Sequence, residues 1–172
     1  MKSIETIQSL ISALDAAERN ERAKVISRLD LKPEALADYA TWSKEEYTRN
    51  CIARTEKYEL ILLCWDQAAE TPIHDHGGQE CWVCQIEGTV KEERIKQVGE
   101  ELITTETLLL TPGRVTYMND SLGFHTIINP SKQRAMTLHV YAKPIDACKV
   151  FNTKKEVFKV KEMEYDTIAD IN

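Results

Sequence analysis

The histidines of this sequence are few and closely spaced. The chain has four, and two of them, His74 and His76, are separated by one residue in the stretch TPIHDHGGQEC. On a β-strand, residues i and i+2 share a face, so both imidazoles could reach one metal ion. Such pairs also occur on solvated strand faces, so a metal site needs a further ligand. We expect Asp75, which would point to the opposite face, to be a surface acid or an acid that supports the ligands from outside the ligand set, rather than a ligand.

The third candidate ligand is His125, which Asn129 follows in the stretch HTIIN. Together with the first pair, Cys81 and Gly88, it forms two spaced patterns, H-x-H-x4-C-x6-G and H-x3-N. These resemble the two motifs of the cupin superfamily, a double-stranded β-helix barrel in which histidines from both motifs hold a metal. A glutamate is usual where Cys81 stands. The adjacent Glu80 is one residue out of frame, and such a shift on a strand reverses the face.

The fourth histidine, His139, lies in the segment AMTLHVYA. One face of this segment is apolar, whereas Thr137, His139 and Tyr141 alternate on the other face. A face of this composition either meets solvent or lines a cavity. If it lines a cavity, we expect Thr137 to orient His139, and His139 to hydrogen-bond Tyr141.

The elements that must position these side chains fall into two parts. In residues 1–45, apolar residues recur at helical spacing, with Ser3 as the expected N-cap and Pro33 opening a later helix. From Tyr47 onward, short strand-like segments are separated by turns; they are YTRNCIAR, YELILLCW, CWVCQIEGTVKEERI, ELITTETLLL, FHTIIN, AMTLHVYA and EVFKVKEM. The sequence therefore predicts one mainly β domain over residues 1–172, with a helical N-terminal layer (1–45) and a β-barrel body (46–172).

The overall composition limits the kinds of partner. A net charge of −6 argues against nucleic acid, because phosphate contacts need a basic face. No apolar run approaches a membrane span, the first residues lack the apolar core of a signal peptide, and the five cysteines fit no disulfide or zinc framework. We therefore expect a cytoplasmic protein with reduced thiols and no membrane partner, as a monomer or weak oligomer.

Five separated motifs resemble the cysteine dioxygenase family of cupins. They are YTRN, LCW nine residues before HDH, the cysteine five residues after HDH, NDSLGFH and LHVYAKPIDAC. The resemblance covers residues 47–152 and implies a jelly-roll barrel behind an N-terminal helical layer. It also implies that His74, His76 and His125 bind Fe(2+), and that the protein oxidises L-cysteine with O2 to cysteine sulfinate.

The resemblance further assigns residues to the substrate pocket. Arg49 matches the arginine that binds the substrate carboxylate, and Tyr47 matches a tyrosine beside it. Trp65 matches a tryptophan of the pocket wall, and Cys148 a cysteine near its mouth. Without the resemblance, Arg49 would be interpreted as an exposed strand arginine. An arginine suits the task because its planar guanidinium binds a carboxylate bidentately and stays charged.

A second group of residues matches the surroundings of the iron. Tyr141 matches a tyrosine that a thioether bond can join to the cysteine at the position of Cys81. His139 matches a histidine of the same strand, and Thr137 stands where the family often has serine. The alternative for Cys81 is a free buried cysteine that packs like a small apolar residue.

The ligand set itself favours thiol chemistry. A third neutral imidazole in place of a carboxylate leaves the charge of a metal dication uncompensated, which favours an anionic thiolate as an incoming ligand. Three alternatives remain. The substrate could be 3-mercaptopropionate or another small thiol, although relatives that prefer 3-mercaptopropionate carry glutamine where Arg49 stands. Three histidines could hold zinc in a hydrolase or hydratase. The protein could also be a non-enzymatic metal-binding cupin that acts as a sensor or store.

Overall fold

The computed structural model describes residues 2–169, and its first part is helical. Helix α1 spans Ile7–Ala16, a 3-10 turn spans Arg19–Glu21, helix α2 spans Arg22–Ile26, and a 3-10 helix that begins with Pro33 spans Pro33–Tyr39. No helix of residues 2–169 combines the length and the apolar character that crossing a bilayer requires.

The N-cap of α1 differs from the prediction. Thr6 caps the helix, because its side chain accepts a hydrogen bond from the Ser9 N–H at 3.2 Å. The predicted cap, Ser3, is wrong. The chain is still extended at Ile4, which pairs in parallel with Leu29 through backbone hydrogen bonds.

The remainder of the described chain is mainly β. Its strands are β1 (Thr48–Arg54), β2 (Glu59–Trp65), β3 (Cys81–Glu87), β4 (Val90–Val98), β5 (Glu101–Leu110), β6 (Val115–Met118), β7 (Phe124–Ile128), β8 (Ala135–Tyr141), β9 (Ala147–Asn152), β10 (Val157–Glu162) and β11 (Thr167–Ile168). A 3-10 helix, Asp120–Leu122, separates β6 from β7. The strands form a six-stranded sheet in the order β11-β1-β2-β8-β3-β6, a three-stranded sheet β5-β4-β7 and a two-stranded sheet β10-β9.

Each of the seven predicted segments contains strand structure. Strands β1 and β2, which correspond to the first two segments, pair antiparallel and form a hairpin around residues 55–57. The segment CWVCQIEGTVKEERI contains two strands, β3 and β4, which are separated at Gly88 and belong to different sheets. Strands β6, β9 and β11 were not predicted. All three are short, and β11 has only two residues, both exposed.

The six-stranded sheet is buried on both faces, which explains why its central strands are almost wholly buried. Its outer face packs on the helical layer in a cluster that includes Leu10, Leu14, Leu36, Leu60, Leu62, Leu138 and Val140. Its inner face packs against strands of the other sheets in a cluster that includes Ile61, Leu63, Val83, Val90, Leu110, Ile127 and Cys148. Alternate residues of one strand therefore serve two separate cores.

A short extended segment at residues 73–75 connects the two smaller sheets. His74 pairs with His125 of β7 through two reciprocal backbone hydrogen bonds of 3.0 Å. On the other side, the Asp75 N–H donates to the Lys149 carbonyl of β9 at 3.1 Å. The result is a second layer that faces the six-stranded sheet. Together the layers form a cupin-like double-stranded β-helix, although the strand pairing of residues 2–169 does not close into a continuous barrel.

Gly123 begins the turn into the strand that carries His125. Its backbone, at φ 104° and ψ −138°, lies in a region that is essentially restricted to glycine. A Cβ at this position would lie 2.5 Å from the carbonyl oxygen of Ile95 in β4. Both the backbone conformation and the lack of space therefore require glycine.

We expect Gly123→Ala to lower the free energy of unfolding by roughly 3 kcal/mol, because it adds backbone strain and a steric clash. Gly99→Ala is the matched control: Gly99 also has a positive φ, 64°, but a Cβ added there would meet no atom within 4 Å. Its cost should be about 1 kcal/mol. Urea denaturation of both variants measures the difference, and equal costs would contradict a role for the Ile95 contact.

Candidate metal centre

Three histidine side chains converge inside the β layers. The Nε2 atom of His125 lies 2.9 Å from that of His76 and 3.2 Å from that of His74. The potential ligand atoms of the three residues all lie within 4.8 Å of one another. The backbone pairing of His74 with His125 places two of these rings side by side, and His76 follows two residues later.

The opposite ring nitrogens show which atoms carry protons. His74 Nδ1 lies 2.9 Å from the Pro72 carbonyl oxygen, which can only accept, so this Nδ1 must donate. His125 Nδ1 lies 2.8 Å from Oε1 of Glu92. Burial works to raise the pKa of Glu92, but the interactions with His125 outweigh it and hold the pKa below its ordinary value. A neutral His125 ring with its proton on Nδ1 would present the lone pair of its Nε2 to the Nε2 atoms of His74 and His76.

These facing lone pairs fit a bound cation. Burial, followed by the proximity of His125, lowers the pKa of His74 to about 3 and that of His76 well below its ordinary value. Both rings are therefore neutral near pH 7, which is the form that ligates metals. Two lone pairs at these distances repel unless a positive charge lies between them. The donor set, three imidazole nitrogens, suits a first-row transition metal.

Carboxylates hold the loop around His76 through its backbone. Asp120 accepts hydrogen bonds from the N–H groups of His76, at 2.8 Å, and Gly78, at 2.7 Å. Asp75 accepts from Gly77, at 3.1 Å, and from Lys149, at 2.8 Å. Asp75 is therefore not a surface acid; it is an acid that supports the ligands from outside the ligand set, which was the other expectation. It is buried, because the N–H groups of this loop and of β9 need an acceptor.

Glu80 and Asn129, which lie within the motifs, do not face the histidine cluster. Glu80 accepts from the Tyr117 hydroxyl and from Arg19 Nε, both at 2.7 Å. The Asn129 amide donates to backbone carbonyls, including Gln133 O at 2.7 Å. Their contacts are structural ones, outside the ligand set.

The polar face of β8 lines the interior and does not meet solvent: Thr137, His139 and Tyr141 are all buried. The Trp65 indole N–H donates to the Thr137 hydroxyl at 2.9 Å. An indole only donates, so the Thr137 proton is free to go to His139 Nε2, also at 2.9 Å. His139 therefore accepts at Nε2 and carries its proton on Nδ1. Burial keeps its pKa well below the ordinary value.

His139 faces Cys81 rather than Tyr141, which was its expected hydrogen-bond partner. His139 Nδ1 faces the Cys81 thiol, with 3.9 Å between N and S, and residues 2–169 contain no hydrogen bond from His139 to Tyr141. The expectation of that bond is wrong. Residues i and i+2 of a strand are about 7 Å apart, and the two rings lie nearly parallel with centroids 6.3 Å apart.

Cys81 and Tyr141 are direct cross-strand partners between β3 and β8. Tyr141 also packs edge-on against His76, with ring centroids 5.5 Å apart. Burial raises the pKa of Cys81 well above its ordinary value, and a hydrogen bond with Tyr141 only partly opposes this. Burial likewise raises the pKa of Tyr141. Thiol and phenol are therefore both uncharged beside the histidine cluster.

A small cavity adjoins the cluster, and the remaining predicted pocket residues lie at it. Its lining includes Tyr47, Arg49, His74, Tyr141 and Cys148. Nη2 of Arg49 is buried and has no hydrogen-bond partner. Such an atom leaves a cationic donor available to an anion in the cavity. Trp65, also expected in the pocket wall, is fully buried behind it and stacks on Tyr47 with centroids 5.1 Å apart.

Sequence reasoning missed Glu92. It expected a dication held by neutral rings alone, whereas this fully buried carboxylate contacts one of the rings. A signal was present in the segment VKEER. Period-two alternation places Glu92 on the same strand face as Val90, which is fully buried.

Solved structures support the fold. A crystal structure of a Thermus thermophilus protein matches 63% of this chain and 95% of its own, with a TM-score of 0.53 and 23% identity. A Klebsiella pneumoniae protein described as having a double-stranded β-helix domain matches 62% of this chain and 80% of its own, with a TM-score of 0.52 and 16% identity. At these identities the likeness concerns the fold alone.

Sequence comparison gives the family. Cysteine dioxygenase type 1 of Bos taurus is 30% identical over 135 residues, which cover 76% of this chain and 68% of the bovine protein. The Rattus norvegicus protein of the same name is 30% identical over 145 residues, covering 81% and 72% of the two chains. The family model for cysteine dioxygenase type I matches residues 2–154. With its three converging histidines inside a cupin fold, this chain belongs to the cysteine dioxygenase type I family of enzymes.

Proposed function

We propose that this protein is an iron(II)-dependent dioxygenase that converts L-cysteine and O2 to cysteine sulfinate. The observation that carries the proposal is the pairing of two cationic features at one cavity. Three imidazole nitrogens converge on a cation site, and the unpartnered Nη2 of Arg49 is buried at the same cavity. A small thiol that also bears a carboxylate matches both features.

His74, His76 and His125 would hold the iron. Three protein ligands leave positions open for other ligands on a metal that prefers six. Iron, when bound, supplies a redox-active centre at which a thiolate and dioxygen can react. The oxidation of the thiol to a sulfinic acid adds two oxygen atoms to sulfur.

Arg49 would bind the carboxylate. A guanidinium–carboxylate hydrogen bond is charge-assisted and directional, so it fixes both the position and the orientation of the substrate. Fixing the reacting groups in advance removes part of the entropic barrier to their reaction. L-Cysteine and 3-mercaptopropionate both carry this carboxylate, so the Arg49 contact alone does not separate them. We favour L-cysteine because relatives that prefer 3-mercaptopropionate carry glutamine where Arg49 stands.

The hydrogen-bonded residues Trp65, Thr137 and His139 would keep the proton of the His139 ring on its Nδ1 atom. Its hydrogen bonds fix the neutral tautomer of His139 with Nδ1–H directed at Cys81. Tyr141, whose phenol stays protonated because burial raises its pKa, can donate a hydrogen bond to an oxygen atom or to substrate in the cavity. The residues around the reacting atoms therefore offer donors and no additional negative charge.

The proposal predicts sulfinate formation and oxygen uptake by iron-loaded protein with L-cysteine. We expect kcat/KM for L-cysteine to exceed that for 3-mercaptopropionate by roughly tenfold or more, because a site built for several polar groups rejects an analogue that lacks one. Oxygen-electrode and product assays on iron-loaded and zinc-loaded protein provide the measurement and its control. A preference for 3-mercaptopropionate would assign that substrate instead, and catalysis with zinc that is independent of O2 would contradict a dioxygenase.

Glu92 should stabilise the bound metal. Its carboxylate makes the His125 ring a stronger ligand, and removal of such a partner typically weakens metal affinity about 10- to 100-fold. We expect Glu92→Gln to raise the Fe(2+) dissociation constant by roughly that factor, measured by competition with a chelator. Glu93→Gln is the matched control, because Glu93 pairs with Lys91 on the same strand and does not touch a histidine. An unchanged constant for Glu92→Gln would contradict this role.

The cross-strand pairing of Cys81 with Tyr141 supports the thioether bond that the family resemblance implies. Bond formation removes one hydrogen atom from each residue, with O2 as the electron acceptor. Intact-protein mass spectrometry after turnover should therefore detect a species lighter by two hydrogen atoms, which Cys81→Ser abolishes. Cys84→Ser is the control, since Cys84 belongs to the core under the helical layer. Persistence of the lighter species in Cys81→Ser would contradict the assignment.

A further inference from the structure

The chain beyond the family match contacts the proposed substrate arginine. The family model ends at residue 154, whereas the segment Glu164–Asp166 lies against Arg49 of β1. We propose that this segment, here called the C-terminal clamp, orients the Arg49 guanidinium and so sets the affinity for the substrate carboxylate. The inference rests on the proposed function insofar as Arg49 binds that carboxylate.

The clamp holds both the backbone and the side chain of Arg49. The Arg49 N–H donates to Asp166 Oδ2 at 2.7 Å, and the Asp166 N–H donates to the Arg49 carbonyl at 2.8 Å. At the other end of the clamp, Arg49 Nε donates to the Glu164 carbonyl at 3.1 Å. Three hydrogen bonds to this short segment therefore restrain one arginine.

These contacts occupy one nitrogen of the guanidinium and leave another for a ligand. Fixing Nε against a carbonyl sets the plane of the guanidinium, because the group is rigid and planar. The rotamers of the arginine side chain are therefore restricted before substrate arrives, and part of the entropic cost of ordering it is met in advance. Nη2 remains buried without a partner at the cavity.

The acid of the clamp does not neutralise the arginine. Asp166 directs its carboxylate at the backbone N–H of Arg49, and within residues 2–169 no carboxylate forms an ion pair with this guanidinium. The positive charge therefore remains available to an anionic ligand. A carboxylate on the guanidinium itself would instead compete with substrate.

The clamp is in turn anchored at its middle and on both sides. The Tyr165 hydroxyl donates to the fully buried carboxylate of Glu59 and accepts from Arg54 Nη1 at 2.6 Å. Before the clamp, the Met163 N–H donates to the Asp146 carbonyl at 2.8 Å. After it, strand β11 pairs in parallel with β1. Because the ends and the centre are fixed, the position of the Glu164 carbonyl is defined relative to the six-stranded sheet.

Substitution of Asp166 tests the clamp. We expect Asp166→Ala to raise KM for L-cysteine about tenfold, the effect of losing one charge-assisted hydrogen bond, while kcat and iron content stay within about twofold of the original protein. Asp166→Asn keeps an oxygen that can accept from the Arg49 N–H, so it should restore a near-normal KM. Tyr165→Phe, which loosens the clamp from its other side, should also raise KM. Glu162→Ala removes an exposed acid nearby on β10 and should change nothing.

Arg49→Ala, measured beside these variants, separates the two possible failures. If Arg49→Ala raises KM strongly and Asp166→Ala does not, the clamp inference is wrong and the proposed function stands. If Arg49→Ala leaves KM unchanged, the proposed role of Arg49 is wrong, and the clamp inference, which depends on that role, is wrong as well. If Asp166→Ala lowers iron content, kcat and thermal stability together, the segment only stabilises the fold, and this result also contradicts the inference.

Discussion

The structure depends on one electrostatic constraint: the Nε2 atoms of three histidines converge in an interior that excludes water. The Nε2 atoms of His74 and His76 lie 3.2 and 2.9 Å from that of His125. Burial holds the pKa of His74 near 3 and that of His76 well below its usual range, so neither of these two rings carries a positive charge near pH 7. A metal cation satisfies this arrangement, because it accepts lone pairs that would otherwise repel one another.

The fold satisfies this constraint with main-chain interactions. Reciprocal backbone hydrogen bonds fix His74 against His125, and the carboxylates of Asp75 and Asp120 hold the intervening loop by its N–H groups. These acids therefore support the ligand loop without entering the ligand set. Glu92 contacts a ligand ring directly, and it provides negative charge that imidazole ligands lack.

Sequence information was sufficient for features that depend on local spacing. The H-x-H pair, the face shared by Thr137 and His139, and most strands follow from period-two alternation, and the family resemblance linked His125 to the pair. Contacts between strands that are distant in the sequence could not be predicted, because they depend on strand register. One example is the contact between Glu92 and His125, which are 33 residues apart in the sequence. Strand β11 was missed for a related reason, since two exposed residues carry no periodic signal and gain their structure only from β1.

The charges around the cavity indicate which kind of ligand the proposed function requires. Arg49 brings a cationic group to the cavity, and Glu92 is the anionic group that contacts a ligand ring, because burial raises the pKa of Cys81 and of Tyr141 and keeps both protonated. With a dication held by the three histidines, the metal and Arg49 would together carry more positive charge than Glu92 balances, which is unfavourable in a buried space unless it is paired. A ligand that brings one thiolate and one carboxylate would cancel that excess. A thiol without a carboxylate would leave Arg49 buried and unpaired, so the proposed site favours both anionic groups on one small molecule.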